Sequence, residues 1–300
     1  MQSPDPRNQH IKIYVNGDLL PRNDARISVF DSVVQGGDAV WEGLRVYKGR
    51  IAALAGHLQR MQNSAKTLAF AEVPTVDEIR QALFRTLEAN GMTDDTHIRL
   101  TLTRGEKITS GMNPRLNQSG CSLIVLAEWK PPVYSDTGIT VITSSIRRNT
   151  PACLDSKIHH NNLLNNILAA IEANVAGVDS AVMLDVHGFV SETNDTNLFL
   201  VRNGRLFTPF ADSCLPGLTR QMILDIAARE AIPATEKNLS LTELYTAEEV
   251  FTTGTMGELT PVLLADGRTI GAGKAGEMTR KLQVLHRQYA YEHGEALPFA

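Results

Sequence analysis

Three features between positions 157 and 220 have groups that could do chemistry together. Lys157 offers an amine that can condense with an aldehyde once it has lost its proton. Glu192 offers a carboxylate that can keep a proton on a ring nitrogen. The segment Leu215-Pro216-Gly217-Leu218-Thr219-Arg220 predicts a turn that starts a helix, where free N–H groups can bind a phosphate. Each feature alone is ordinary, so the inference depends on their occurring together.

An amine, an acid and a phosphate-binding helix start are what a pyridoxal phosphate enzyme must supply. In such an enzyme Lys157 would hold the cofactor and move a proton as general base and acid. Glu192 would support the protonated pyridine nitrogen. Gly217 would let the backbone approach the phosphate closely, and the Thr219 hydroxyl could join the helix amides there.

The motifs around these residues resemble the class IV, or fold-type IV, aminotransferases, which include the branched-chain and D-amino-acid aminotransferases. Gly188, Glu192, Asn197 and Phe199 follow the family's Gly-x-x-x-Glu…Asn-x-Phe spacing. Trp41-Glu42-Gly43-Leu44-Arg45 resembles the family's Phe-Glu-Gly-Ile-Arg segment, and 57–65 resembles its helix with a phosphate-binding arginine. The segment 252–261 resembles the family's second phosphate loop. The resemblance extends over about 13–271.

This resemblance implies the residues of a site. Lys157 is the expected catalytic residue, and the residues expected to contact pyridoxal 5'-phosphate are Arg60, Lys157, Asn162, Glu192, Leu215, Gly217, Leu218, Thr219, Gly254 and Thr255. The residues expected to contact the substrate are Arg99, Arg115 and Met256, since a substrate carboxylate needs a cation or convergent donors. From the motif alone, Arg45 is expected to be a structural partner of Glu42. No metal site is expected, because His159 and His160 would point to different faces of a helix.

Some positions depart from both subgroups of the family. Asn162 stands where branched-chain enzymes commonly have a tyrosine, His97-Ile98-Arg99 stands where they have Tyr-x-Arg, and Gly36 replaces another tyrosine. The D-amino-acid enzymes use an Arg-x-His pair, and here that loop reads Arg115-Leu116-Asn117. The substrate side chain and the hand of the amino acid therefore stay open.

Composition limits the class of protein. The 300 residues are 43% hydrophobic and 21% charged, with a net charge of −4, as in a globular protein without a basic nucleic-acid-binding surface. No run of 18 apolar residues and no signal-peptide pattern is visible, so we expect no membrane partner and a cytoplasmic location. Three cysteines without metal-ligand spacing are expected to be reduced thiols.

The order of the expected elements predicts an α+β fold, because strands come in consecutive runs with helices set apart. The resemblance refines this to a small N-terminal α/β domain, 1–128, a linker, 129–137, and a larger cofactor-binding domain around a β-barrel-like sheet, 138–300. The expected strands are 11–15, 97–103, 121–127, 139–144, 180–186, 189–193, 198–201, 205–208, 250–253 and 262–264. The expected helices are 54–70, 76–90, 159–176, 218–231 and 276–292.

The sequence thus predicts a pyridoxal phosphate-dependent aminotransferase that acts on aliphatic amino acids, with the branched-chain type preferred and a 2-oxo acid as acceptor. The resemblance implies a homodimer. A D-amino-acid or (R)-amine transaminase stays an alternative on the same fold. Two further hypotheses are an aminodeoxychorismate-type lyase and a degenerate relative without activity.

Overall fold

A computed structural model describes residues 5–300 as two compact units. Unit 1 contains 5–131, 158–162 and 291–300, and unit 2 contains 132–157 and 163–290. The chain passes from unit 1 to unit 2 inside the predicted linker. Two later segments group with unit 1, which the contiguous division expected from the sequence does not include.

The strands in the described residues are β1 Lys12–Val15, β2 Asp18–Pro21, β3 Ala39–Tyr47, β4 Arg50–Ile51, β5 Thr96–Thr103, β6 Ser122–Trp129, β7 Ile139–Arg147, β8 Ser180–Leu184, β9 Val190–Thr193, β10 Asn197–Arg202, β11 Arg205–Thr208, β12 Ala234–Glu236, β13 Glu249–Gly254, β14 Glu258–Ala265, β15 Arg268–Thr269 and β16 Glu295–Ala296. The α-helices are α1 Ser32–Gly36, α2 Leu54–Thr67, α3 Val76–Asn90, α4 Leu164–Ala176, α5 Leu218–Arg229, α6 Leu241–Tyr245 and α7 Glu277–Glu292. Two short 3₁₀ helices span Pro6–His10 and Pro114–Leu116.

Unit 1 is a seven-stranded sheet in the order β16-β4-β3-β5-β6-β1-β2, with every pair antiparallel. Leu58 and Met61 of α2 and Leu83 and Leu87 of α3 pack into one core with the sheet. Their spacing of three to four residues puts them on one helix face. The sequence predicts both helices for this reason.

The ends of α3 show how local sequence sets its length. Thr75 and Glu78 form a capping box at the start, which satisfies N–H groups that the helix itself cannot. Gly91 ends the helix in the left-handed conformation, with φ of 63°. The predicted range 76–90 is confirmed.

Unit 2 contains a nine-stranded sheet in the order β12-β11-β10-β13-β14-β7-β8-β9, with β15 paired to β14. The amide of Thr193 at the end of β9 donates to the carbonyl of Thr196, just before β10. Because β10 and β9 are far apart in the strand order, this short connection requires the sheet to curl. Separate hydrophobic clusters lie against α5 with α7 and against α4.

The predicted helix 159–176 is wrong at its start, since α4 begins at Leu164. Residues 158–162 use their backbone in strand-like pairing with β3 instead. The amide of Trp41 donates to the carbonyl of His159 at 2.9 Å, and the amide of Asn161 donates to the carbonyl of Ala39 at 2.8 Å. Lys157 therefore lies in a turn that precedes this segment rather than at a helix start.

The mixture of mostly antiparallel sheets with segregated helices confirms the α+β prediction. Within residues 5–300, no helix combines the length and the apolar character that a bilayer crossing requires.

Candidate functional site

The buried carboxylate of Glu192 lies at the centre of a group of donors in unit 2. Glu192 belongs to β9 and its side chain is about 6% exposed. Arg148, the residue after β7, donates Nε to Oε1 at 2.5 Å, and Asn197, the first residue of β10, donates Nδ2 to Oε2 at 3.0 Å. The amide of Leu215 approaches both oxygens at 3.3–3.4 Å. We call Glu192, Arg148, Asn197 and the Leu215 amide the Glu192 clamp.

The electrostatic environment of Glu192 has opposing contributions. Burial raises the pKa of Glu192 above its ordinary value, while the Arg148 charge and the hydrogen bonds from Arg148 and Leu215 act against that rise. The carboxylate of Asp195, in the turn before β10, raises the pKa of Glu192 further. The protonation state of Glu192 therefore depends on its partners in the clamp.

Asn197 connects this carboxylate to the start of α5. Its Nδ2 also donates to the carbonyl of Leu215 at 2.9 Å. Its Oδ1 lies so close to Gly217 that a Cβ at position 217 would be 2.0 Å away. A side chain at 217 would therefore displace the Asn197 amide from its contacts with Glu192 and Leu215, which explains the glycine of the Leu215–Arg220 motif by packing.

The N-terminus of α5 has the properties of an anion site. Gly217 is its N-cap and no side chain of the described residues caps it. The first amides of a helix have no intrahelical partner and carry the positive end of the helix dipole. Leu218 and Thr219, the first helical residues, present these amides as the sequence predicts.

A hydroxyl without a partner lies on the strand beside Asn197. Thr253 of β13 pairs in register with Asn197, and among the described residues its Oγ1 is buried without a hydrogen-bond partner. Gly254 ends β13, and Thr255 and Met256 follow in the turn to β14. A Cβ on Gly254 would lie 2.9 Å from Thr196, so this turn also needs a glycine for close packing.

Lys157 is exposed in unit 2 and its backbone amide donates to Asp155 Oδ1 at 2.9 Å. It lines a cavity of about 500 Å³ together with Ser191, which precedes Glu192, and Ser213, which lies two residues before Leu215. The amine thus belongs to a cavity whose walls include neighbours of the Glu192 clamp.

Unit 1 contains the buried carboxylate of Glu42, a residue of β3. Arg60 of α2 donates Nε to Oε1 at 2.8 Å and Nη2 to Oε2 at 2.6 Å. His57 Nδ1 lies 2.7 Å from Oε2, and His159 Nδ1 lies 3.2 Å from Oε1. We call Glu42, His57, Arg60 and His159 the Glu42 cluster.

The Glu42 cluster corrects one expectation and qualifies another. Arg45 is not the partner of Glu42, because residues three apart in a strand face opposite sides. Arg45 instead lies 3.9 Å from Asp95 and donates to the carbonyl of Lys130. The predicted phosphate role of Arg60 stays a prediction, and its guanidinium is held by Glu42 in this structure.

The pKa values in the Glu42 cluster follow from burial and charge. Burial alone would raise the pKa of Glu42, but His159 and Arg60 hold it well below its ordinary value. Burial lowers the pKa of His159 to about 4 and also lowers that of His57, so both are neutral near pH 7. Near pH 7 Arg60 therefore supplies the positive charge that faces the Glu42 anion, while His159 contributes through its hydrogen bond.

Arg99 is the better placed of the two predicted carboxylate-binding arginines. Its guanidinium carbon lies 3.5 Å from the centroid of the Trp41 ring, and Nη2 lies 3.4 Å from Asn161 Oδ1. Burial lowers its pKa to about 10, which leaves it charged at neutral pH. His97, two residues earlier on the same face of β5, has a buried Nε2 without a partner in the described chain.

Arg115 and Asn162 are both exposed. Arg115 belongs to a 3₁₀ turn in a surface loop. Asn117, at the position of the D-amino-acid enzymes' histidine, donates to Ser32 Oγ and to the carbonyl of Gly105, both at 2.7 Å. Its side chain therefore holds the loop together.

The residues of unit 2 fit pyridoxal phosphate. A carboxylate offers about four lone-pair positions, and the clamp fills three with donors, so Glu192 can accept one more N–H. The uncapped α5 and the Thr253 hydroxyl offer donors for a phosphate. Among residues 5–300, no group of three or more His, Cys, Asp or Glu side chains could hold a metal ion.

Sequence reasoning missed Arg148, His57 and His159 as parts of these clusters. Buried charges need partners, so an arginine at the end of an apolar strand is a signal for Arg148. No comparable signal marks the histidines, because their partner is distant in sequence. Asn197 was recognised only as a motif residue.

Comparison with known proteins gives the family. The model of amino-transferase class IV matches residues 39–265. Branched-chain-amino-acid aminotransferase-like protein 2 of Arabidopsis thaliana is 57% identical over 98% of this chain, which spans 53% of that protein. The branched-chain-amino-acid aminotransferase of Escherichia coli (strain K12) is 33% identical, with 90% of each chain covered.

Solved structures agree. The branched-chain amino acid aminotransferase of Escherichia coli superposes with a TM-score of 0.88 at 31% identity, covering 95% of this chain and 96% of that one. The T.th. branched-chain enzyme in complex with N-(5'-phosphopyridoxyl)-L-glutamate gives 0.88 at 32%, covering 95% and 97%. These matches confirm the fold-type IV prediction.

The chain spans about half the length of the Arabidopsis relatives that it matches. Its sequence motifs, its two sheets and the match over 39–265 nevertheless agree with one another. The chain belongs to the class IV aminotransferase family.

Proposed function

We propose that this protein is a pyridoxal phosphate-dependent aminotransferase that moves an amino group from a branched-chain amino acid to a 2-oxo acid. The observation that carries the proposal is the set of contacts from Glu192 through Asn197 to Gly217. It joins a buried carboxylate to an uncapped helix start, the two ends that the ring nitrogen and the phosphate of the cofactor require.

When bound, the cofactor supplies an electron-withdrawing ring that stabilises negative charge at the substrate α-carbon. Glu192 keeps a proton on the ring nitrogen. The amides of Leu218 and Thr219, with the turn at Gly254 and Thr255, bind the phosphate. Lys157 would hold the cofactor through its amine and, once displaced by the substrate, would move the proton from the substrate α-carbon to C4′ of the cofactor as general base and acid.

We assign the substrate carboxylate to Arg99 rather than to Arg115. Arg99 is charged, partly buried and fixed on Trp41, so it loses little freedom on binding an anion. The branched-chain relatives support aliphatic side chains. The glutamate adduct of the T.th. enzyme supports 2-oxoglutarate as acceptor. The internal use of Asn117 disfavours the D-amino-acid alternative.

The first experiment tests the covalent link. The protein is incubated with pyridoxal phosphate, reduced with borohydride and mapped by peptide mass spectrometry. We expect an adduct at Lys157, its loss in Lys157→Ala and its persistence in Lys274→Ala, a change at an exposed lysine of the same unit. Wild-type protein without an adduct at Lys157 would contradict the proposal and support the degenerate relative.

The second experiment tests the substrate. Loaded protein is mixed with L-leucine, L-isoleucine, L-valine, D-alanine and (R)-amines, and the cofactor absorbance is followed. We expect conversion with the branched-chain L-amino acids. Rapid conversion only with D-alanine or (R)-amines would show the alternative transaminase, and pyruvate release from an amino-donor substrate without an added acceptor would show the lyase.

We also propose that two copies associate, as the resemblance implies. The α4 residues Leu164, Ile167, Leu168, Ile171 and Val175 are 49–85% exposed at helical spacing. Such a contiguous apolar stripe is a frequent sign of an interface. Light scattering should give twice the chain mass for wild-type protein and a lower mass for Ile171→Glu. The cytoplasmic location expected from the sequence stays part of the proposal.

A further inference from the structure

We infer that Arg148 is a positioning residue that keeps Glu192 ionised and oriented when the cofactor is bound. The inference rests on the proposed function, because it concerns the carboxylate that would face the ring nitrogen. Neither the sequence motifs nor the proposed roles above give Arg148 a task.

Arg148 is held firmly in position. It is about 6% exposed, and its backbone amide donates to the carbonyl of Leu184 at the end of β8. Its Nε reaches Glu192 Oε1 from the side of β7, the strand that it follows. Glu192 itself pairs in register with Met183 of β8, so arginine and glutamate are anchored by the same strand.

The donors of the clamp differ in kind. Asn197 Nδ2 and the Leu215 amide are neutral, and they fix where the two oxygens lie. Arg148 is the member of the clamp that brings positive charge. A charged donor stabilises a carboxylate roughly twice as strongly as a neutral one. Orientation is therefore shared among three donors, while ionisation depends mainly on Arg148.

The other titratable groups near Glu192 do not replace that charge. Asp195, in the turn before β10, raises the pKa of Glu192, as burial does. Cys214, next to Leu215, is a buried thiol whose pKa burial raises, with Glu192 adding to the rise, so it stays neutral. Without Arg148 the carboxylate would take up a proton. It would then have lost the negative charge that supports a protonated ring nitrogen.

The second observation concerns the far side of the guanidinium. Within residues 5–300, Arg148 Nη1 is buried without a hydrogen-bond partner. Leaving a buried donor unsatisfied destabilises the folded state, so an arginine here is a poor choice for stability alone. The cost is understandable if the residue is kept for its charge on Glu192.

The experiment uses the full chain loaded with pyridoxal phosphate. The variants are Arg148→Met, Arg148→Lys, Glu192→Gln and the double variant Arg148→Met/Glu192→Gln. The matched control is Arg147→Met, since Arg147 is adjacent but exposed and its side chain donates to the backbone carbonyls of Ser144 and Ser145. Borohydride mapping of Lys157 first establishes that each variant binds the cofactor.

The main readout is the cofactor absorbance as a function of pH. In Arg148→Met, the midpoint of the pH titration of the cofactor absorbance should shift by about one pH unit or more. One pH unit corresponds to a tenfold change in proton affinity. Arg148→Lys should restore part of the shift, and Arg147→Met should leave the titration unchanged. In the Glu192→Gln background, Arg148→Met should not shift the absorbance titration further, because the carboxylate on which Arg148 acts is absent.

A second readout needs no cofactor. Urea unfolding of the unloaded Arg148→Met variant should show a loss relative to wild type that is small near pH 4.5 and grows toward pH 8, as Glu192 must be ionised without its partner. An adduct at Lys157 with an unshifted absorbance titration in Arg148→Met would overturn this inference and leave the proposed function intact. Absence of the adduct in wild type would overturn both.

Discussion

Two buried glutamates of this protein, Glu42 and Glu192, have similar surroundings and opposite pKa shifts. Glu42 and Glu192 both lie on strands, and each accepts a hydrogen bond from the Nε of an arginine. The pKa of Glu42 lies well below its ordinary value, whereas that of Glu192 is raised. Burial pushes both upward, so their partners make the difference.

Glu42 accepts two bonds from one guanidinium and faces two histidines, whereas Glu192 accepts one guanidinium bond and otherwise neutral donors. The first arrangement fixes an anion permanently and holds Arg60 and His159 in place. The second leaves an anion that can still exchange interactions with a ligand. The charge on its partners therefore indicates the role of a buried carboxylate. Full neutralisation indicates a structural role, and partial neutralisation indicates a functional one.

The largest effect should come from Glu42→Gln. Removing the anion leaves Arg60 without its buried partner, which costs about 3–5 kcal/mol in the free energy of unfolding. Because the pKa of Glu42 is depressed, its contribution is present above about pH 4.5 and is lost as the pH falls through its folded value. Urea unfolding at pH 7 measures the loss, with exposed Glu88→Gln as control. An equal loss in the control would contradict the assignment.

Glu192→Gln should lower activity more than stability, in contrast to Glu42→Gln. We expect kcat to fall by about 10²–10³-fold, the usual effect of removing one electrostatic support of a reacting group. The free energy of unfolding should change less than in Glu42→Gln, since the native state already disfavours the ionised form. Stopped-flow half-reactions and urea unfolding separate the two quantities, with exposed Glu277→Gln as control. A larger stability loss than in Glu42→Gln would break the comparison.

A smaller effect should distinguish the two candidate arginines of unit 1. Arg99→Met should raise KM for the amino acid by about 10- to 100-fold, because a charged hydrogen bond is worth about 1.5–3 kcal/mol. Arg115→Met should leave KM within twofold. If steady-state kinetics gave the reverse order, the substrate carboxylate would have to be reassigned to the surface loop.

The effect that is smallest at neutral pH, and that grows only toward acid pH, should come from two buried histidines, one in each unit. Burial lowers the pKa of His97 to about 3 and that of His286 to about 4, from 6.5. Between about pH 6.5 and pH 4 the unfolded chain binds protons that the native state does not, so stability falls as the pH falls. The slope is about 1.4 kcal/mol per pH unit for each histidine.

His97→Gln and His286→Gln should each flatten the acid side of the stability profile, measured by urea unfolding from pH 7 to pH 4.5. The matched control is His187→Gln, at an exposed histidine of unit 2. Equal flattening by both buried variants would show that one transition unfolds both units. Flattening by neither would contradict the neutral assignment.

Helices with clear end signals were predictable from the sequence. The range predicted for α3 matches because Thr75 and Gly91 define both ends locally. The hairpin at Asn203-Gly204 is also confirmed, with Asn203 at φ of 51° between β10 and β11. Such signals come from residues that are neighbours in the sequence, so they can be recognised without the structure.

Elements whose stability comes from distant partners were not predictable. β3 has nearly every residue buried, so it shows no alternation of apolar and polar residues. The segment at His159 was expected to be helical because its pairing with Ala39 and Trp41 lies far away in the chain. The Arg148–Glu192 pair was missed because its two residues are also far apart in the sequence, although the motif around Glu192 was recognised.

The assignment of residues 158–162 and 291–300 to unit 1 bears on how the chain folds during synthesis. The N-terminal sheet has β16 as its edge strand, beside β4, and that strand lies beyond position 290. A nascent chain therefore cannot complete this sheet until β16, far beyond β4 in the sequence, has left the ribosome. A fragment that stops at Pro131 would leave the edge of β4 unprotected, and aggregation during expression is the expected result.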